Sequence, residues 1–341
     1  MQNKPLKKVG ITTTVPAEIL YAAGVVPVDM NNLFITAEKY DKYIERAERD
    51  GFPKSMCAWI KGIYGAVLDH EIDTLIGVIE GDCSNTKVLL EVLERKGVKM
   101  IPFGFPHGKD VEGMTSQIET LCKILGVTQE AVNFYREKLG NIRNLGVKLD
   151  ELTYETNQVK GFENHLYLVS FSDFMNDPDE YAKLLEDKIY EAKTRQPMKD
   201  KIRLGYMGVP PMQGDLYDYL ESMDARVVFN EVQREFMFPR WAASKNIVDQ
   251  YLDYTYPYDL SSRLADINDQ VELRKIDAII HYTQAFCHKA AEDMIVKTEL
   301  SVPVLQIEGD KLNCLDARTK LRIEAFVDML KDKKEFELCA F

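Results

Sequence analysis

AIIHYTQAFCHKAAEDMIVKTELSVPVLQIEGD, residues 278–310, is the stretch that decides the fold. An apolar run from Ile276 to His281 leads into it. A helical pattern covers His288 to Lys297, and a second apolar run spans Pro303 to Ile307. Short apolar strands on either side of a helix mark a βαβ unit, whose parallel strands are buried on both faces. Working back along the chain, Arg203 to Gly208 (RLGYMG) and the β-branched run Ala225 to Phe229 flank a helical pattern from Gly214 to Met223. The second half therefore predicts four strands alternating with helices.

The first half repeats the theme. A helical pattern starts near Pro16, followed by Val25 to Val28; Thr74 to Ile79 and Val98 to Phe103 are further strands. IGVIEGDC (76–83), a helix and VKMIPFGF (98–105) match AIIHYTQAFC (278–287), a helix and VPVLQIEGD (302–310). The same 15-residue step separates Cys83 from Val98 and Cys287 from Val302. The expected class is α/β, as two similar domains with parallel sheets. Gly126 to Asn144 and Val147 to Met175 read as helical or mixed. Glu186 to Lys201 reads as a long solvated helix leading into the second sheet. The expected division is 1–190, an N-terminal α/β domain carrying Cys57 and Cys83, and 191–341, a C-terminal α/β domain carrying Cys287.

The 341 residues carry 43 Lys and Arg against 55 Asp and Glu, a net charge of −12. A phosphate-backbone binder needs clustered cations for counterion release, so nucleic acid is not an expected partner. No stretch approaches the ~18 apolar residues of a membrane span. The start, MQNKPLKKVGITTT, has basic residues but no apolar signal core, so the expectation is a cytoplasmic protein. Six cysteines are too few for a disulfide scaffold; in a reducing compartment they read as core thiols, metal ligands or catalytic groups.

Cys83 and Cys287 each lie just past a strand and open a helical pattern. Ligands of open α/β sheets bind outside the carboxyl ends of strands. Cys57 precedes a helical pattern from Ala58 to about Asp69. A helix N-terminus favours the thiolate, the form that binds metal. A single cysteine is more often a small core hydrophobe, but three at helix starts are a pattern. There is no CxxC pair, so any ligands must converge from distant parts of the chain. Cys314 follows the last strand and precedes a helix from Asp316; it is a ligand or a loop thiol. Cys122 sits in an amphipathic helical pattern and reads as core, and Cys339 as part of a frayed tail. His281 reads as core or lining, and His288 as a first-turn residue of a helix. Tyr282, Thr283 and Gln284 are placed between strand and Cys287. No GxGxxG after a strand, GxxxxGK[ST], HExxH or GxSxG is present. Glu231 and Asp310 follow strands but read equally as capping or solvated carboxylates, so no catalytic residue is assigned.

VPAEILYAAGVVPVDM (15–30), SMCAWIKG around Cys57, GDCSNTK around Cys83 and TQAFCHKAAEDM around Cys287 resemble the cluster-binding subunits of 2-hydroxyacyl-CoA dehydratases and benzoyl-CoA reductases. VPVLQIEGD (302–310) and ARTKLRIEAFVDML (317–330) resemble that family's closing strand and helix. The resemblance implies two Rossmann-like domains facing each other across a cleft that binds a [4Fe-4S] cluster. It implies three cysteine ligands, matched here by Cys57, Cys83 and Cys287. It also implies a separate ATP-hydrolysing iron–sulfur activator that injects a low-potential electron into an acyl-CoA substrate, giving a ketyl radical whose β-proton can leave. A homodimer, or a heterodimer with a homologous subunit, is the implied assembly, in anaerobic metabolism. A related branch holds a double-cubane [8Fe-9S] cluster and reduces small molecules with ATP; six cysteines would serve it, which brings Cys314 in as a fourth candidate metal ligand. The expectation is thus an iron–sulfur lyase, with a low-potential oxidoreductase or a non-catalytic iron–sulfur or α/β binding protein as alternatives.

Overall fold

A computed structural model describes residues 7–311 and 314–339, with side chains through Glu337. Among the described residues, eight strands form two parallel four-stranded sheets. The first contains β1 (Lys7–Ile11), β2 (Val25–Asp29), β3 (Thr74–Glu80) and β4 (Lys99–Gly104), in the order β2-β1-β3-β4. The second contains β5 (Ile202–Gly208), β6 (Ala225–Asn230), β7 (Ala278–Gln284) and β8 (Val304–Gly309), in the order β6-β5-β7-β8. The two orders are the same, displaced by four strands. The internal correspondence read from the sequence thus joins equivalent strands, β3 with β7 and β4 with β8.

By compactness the chain divides into two units that interleave in sequence. One takes Met1–Gly146, Ser170–Leu184 and Glu235–Asp259; the other takes Val147–Val169, Leu185–Arg234 and Leu260–Phe341. All of β1–β4 precede residue 190 and all of β5–β8 follow it, while the flanking segments are exchanged across that point.

Parallel sheets are covered on both faces, and the second sheet shows why its strands are so uniformly apolar. Alternate residues point to opposite faces. Leu204, Tyr206, Ala278, Ile280 and Tyr282 join one core with Ile323, Val327 and Leu330 of the helix Ala317–Cys339. Met207, Phe229 and Ile279 join the other, with Leu264, Ile267 and Val271 of the helix Leu260–Arg274. In the first sheet β3 is buried from Thr74 through Val78, and Gly77 leaves room for Leu90 of the helix Ser84–Glu94.

Three segments differ from the sequence reading. β1 was not foreseen; it starts on exposed Lys7 and Lys8 and buries only Val9, Gly10 and Ile11. The helix over 186–201 begins earlier, at Pro178, and ends at Lys193. Tyr282, Thr283 and Gln284 belong to β7 itself, all three buried. Among the described residues no helix is long and apolar enough to cross a membrane.

Candidate functional site

In the first unit, Cys57 is the N-cap of the 12-residue helix Ala58–Asp69, and Cys83 is the N-cap of the 11-residue helix Ser84–Glu94. Neither thiol caps its own helix; each carbonyl instead accepts within the first turn, from the Lys61 and Thr86 amides. Cys83 stands three residues beyond the end of β3, at the carboxyl end of the sheet. The turn into it requires glycine at 81: φ is +89°, and a Cβ there would lie 2.8 Å from the Pro257 carbonyl oxygen. Cys57 is buried and Cys83 half-buried.

In the second unit, Cys287 is the N-cap of a 3-10 turn, His288–Glu292, that leads into the helix Asp293–Glu299. It too stands three residues beyond its strand, the equivalent β7. Phe286, just before it, has φ +64° and an exposed ring. A non-glycine residue in the left-handed region stores strain and persists only where its surroundings hold it. Buried His281 on β7 contacts the carboxylate of Asp293 through Nδ1 at 3.0 Å. Burial pulls its pKa below the usual histidine value, against the pull of Asp293. Glu231, which follows β6, is held by Arg263, a structural engagement for a carboxylate given no catalytic role above.

The three N-cap cysteines are thus divided, Cys57 and Cys83 in one unit and Cys287 in the other. Cys314 is exposed, between β8 and the helix Ala317–Cys339; the N-cap of that helix is Asp316, whose carboxylate accepts from the Thr319 amide. Cys122 lies half-buried in the helix Val111–Leu125, where burial, and then the charge of Glu119, push its thiol pKa up. The Cys339 side chain lies outside the described residues. The five cysteines whose side chains are described form no disulfide. Among the described residues, no three His, Cys, Asp or Glu side chains are gathered as metal ligands. The donor chemistry nevertheless fits a soft iron–sulfur group. Three thiols occupy N-cap positions, where the partial positive charge of the turn favours thiolate.

Other buried charges were not singled out from the sequence. Glu18 is fully buried in the first unit. Burial alone would raise its pKa, but Arg143, 2.7 Å away, and donors from Gln250 and Tyr251 hold it below the usual range. A carboxylate inside the apolar run VPAEIL was the available signal. Asp29, the last residue of β2, donates its amide to Asp173 Oδ2 at 2.9 Å. Nothing local to Asp173 announces this, because its neighbour is 144 residues away. Burial, and then the charge of Asp29, push the Asp173 carboxyl up to about 7. A carboxyl that is protonated in the folded state favours folding at low pH. Its contribution fades as pH rises from the unfolded value, about 3.9, through the folded one. The urea midpoint of the first unit is therefore expected to fall between about pH 4 and 7. Asp173→Asn should flatten that slope; an unchanged slope in the variant would place the titration elsewhere.

The family model for the 2-hydroxyglutaryl-CoA dehydratase D-component matches residues 12–330. The match runs from the loop after β1 into the final helix and takes in the four candidate ligands Cys57, Cys83, Cys287 and Cys314. A search of curated proteins gave no match.

Proposed function

Because the chain belongs to the 2-hydroxyglutaryl-CoA dehydratase D-component family, we propose that it is the iron–sulfur component of an ATP-dependent radical 2-hydroxyacyl-CoA dehydratase. The observation that carries the reading is the shared address of the cysteines. Cys83 and Cys287 each follow an equivalent strand by three residues, and both, like Cys57, are N-caps. These three would hold a [4Fe-4S] cluster as thiolates. When bound, the cluster supplies a low-potential electron to the thioester, which makes the β-proton of the acyl chain removable. The net reaction removes water from a 2-hydroxyacyl-CoA to give the enoyl-CoA, so the electron is returned at each turnover. The chain's own part is to hold the thiolates and to stabilise their charge with the helix N-termini behind them. The electron comes from a separate ATP-hydrolysing iron–sulfur activator, and the working form is a dimer with itself or with a homologous subunit, in the cytoplasm.

Anaerobic purification followed by iron and acid-labile sulfide analysis tests the reading. About four irons per chain are expected for a single cubane. About eight would instead identify a double-cubane [8Fe-9S] protein acting on small molecules. A colourless, iron-free protein after anaerobic reconstitution would overturn the iron–sulfur assignment.

A further inference from the structure

The two strand-end cysteines are equivalent in position but are supported differently. The helix that follows Cys83 buries Thr86, Leu89, Leu90 and Leu93, so packing fixes it. The 3-10 turn that follows Cys287 buries none of its residues. It is entered through the left-handed Phe286, a conformation that needs external support.

Next to Phe286, the Ala285 amide donates to the Gly309 carbonyl at 2.7 Å and the Cys287 amide to the Gln284 carbonyl at 3.0 Å; the far end of the turn is anchored by a side chain. Arg263 is fully buried, on the helix Leu260–Arg274. Its Nε and Nη2 donate to both oxygens of buried Glu231, at 2.6 and 2.9 Å. Glu231 Oε2 also accepts the amide of Gly208, the last residue of β5, at 3.0 Å. The remaining Arg263 nitrogen, Nη1, donates to Glu292 Oε2 at 2.6 Å. Glu292 is the last residue of the Cys287 turn, and its other oxygen takes Lys289 within the turn at 3.2 Å. One guanidinium therefore ties the turn to the carboxyl ends of β5 and β6. The first unit has a buried cation at the corresponding place, since Lys61 and Arg263 are each the fourth residue of the helix before β3 or β7. Lys61 turns instead to Glu48 and the Lys54 carbonyl, and leaves the Cys83 helix to its packing.

We propose that Arg263 is a positioning residue that sets the Cys287 thiol by bridging Glu231 to Glu292. A lysine would not reproduce this, because its three donors radiate from one atom, whereas the planar fork holds both Glu231 oxygens while a separate nitrogen reaches Glu292. The role of the thiol as a cluster ligand rests on the function proposed above; the tie itself does not.

Glu292→Gln is the cleanest test, because it cuts the bridge at its outer end and leaves buried Arg263 paired with Glu231. In metal-free protein, amide exchange across residues 286–293 should quicken about tenfold, the loss expected for one charge-assisted hydrogen bond. Exchange in the 84–94 helix should stay unchanged. Arg263→Lys should give the same local loosening while keeping the charge beside Glu231. In reconstituted protein, both variants should release iron to a chelator faster than wild type and shift the cluster's EPR g-values. Unchanged exchange at 286–293 would overturn the tie. Faster exchange with wild-type iron release and EPR would overturn the positioning role, provided Cys287→Ser alters both. If Cys287→Ser alters neither, it is the cluster reading that fails, and the tie is judged on exchange alone.

Discussion

Cys83→Ser is expected to lose most of the bound iron and all ATP-dependent turnover while the protein stays folded. A cluster thiolate bonds iron directly, and an alkoxide or hydroxyl is a poor substitute in soft iron–sulfide chemistry. The fold should tolerate the change, because Cys83 is a half-buried N-cap rather than a core residue, and serine is a favoured N-cap. Circular dichroism and thermal melting of the metal-free variant should match wild type, with iron analysis and turnover measured on the same preparation. Cys122→Ser is the control. Its thiol lies within a helix of the same unit, and the change should leave iron content untouched. Cys314→Ser separates the two redox readings: unchanged iron favours a single cubane, and loss favours a cluster that needs a fourth thiolate. Full iron and activity in Cys83→Ser would show that the strand-end thiol is no ligand.

β5, β6 and β7 were legible because nearly all their residues are buried and the apolar ones enter one of two cores. β4 and β8 each include an exposed position and were legible from their apolar residues alone. β1 lacked that signature. Lys7 and Lys8 begin it in solvent, and only three residues remain to carry an apolar signal. The addresses of Cys83 and Cys287 were legible because each opens a helical turn three residues past a strand end, which is a local property. The buried charges were not. Arg263 meets Glu231 across 32 residues, and Asp173 meets Asp29 across 144, so each looks like an ordinary surface charge until the chain is folded. Arg274 is the extreme case. It ends a helix, where a cation is expected to sit in solvent beside the last carbonyls, yet it is almost fully buried.

Arg274→Met is expected to cost about 3–5 kcal/mol, a large share of a typical folding free energy. Arg274 pairs with both oxygens of buried Asp150, at 2.9 and 2.5 Å, donates to Gln270 at 2.8 Å and reaches the Val228 carbonyl at 2.8 Å. Its guanidinium also lies 4.3 Å from the centroid of the Tyr154 ring. Methionine preserves much of the volume, so the loss is not mainly a cavity. It is a carboxylate left in the core without its ion-pair partner, with the Asn164 amide still donating to it and the Arg234 charge nearby. In the native protein, burial alone would raise the Asp150 pKa, but the charge and hydrogen bonds of Arg274 hold it below the usual range. That contribution is therefore present above the unfolded value of about 3.9 and is lost as pH falls through the folded one. In the variant the sign reverses: burial prevails, the folded pKa rises, and acid relieves the strain by protonating Asp150. The gap in urea midpoint between wild type and Arg274→Met should be widest near neutrality and should narrow as pH falls toward about 4. Adding Asp150→Leu should recover much of the loss, because replacing both members of a buried ion pair with apolar groups is often near neutral. A gap that stays constant with pH, or a double variant no better than the single one, would show that the pair is not what holds this part of the second unit together.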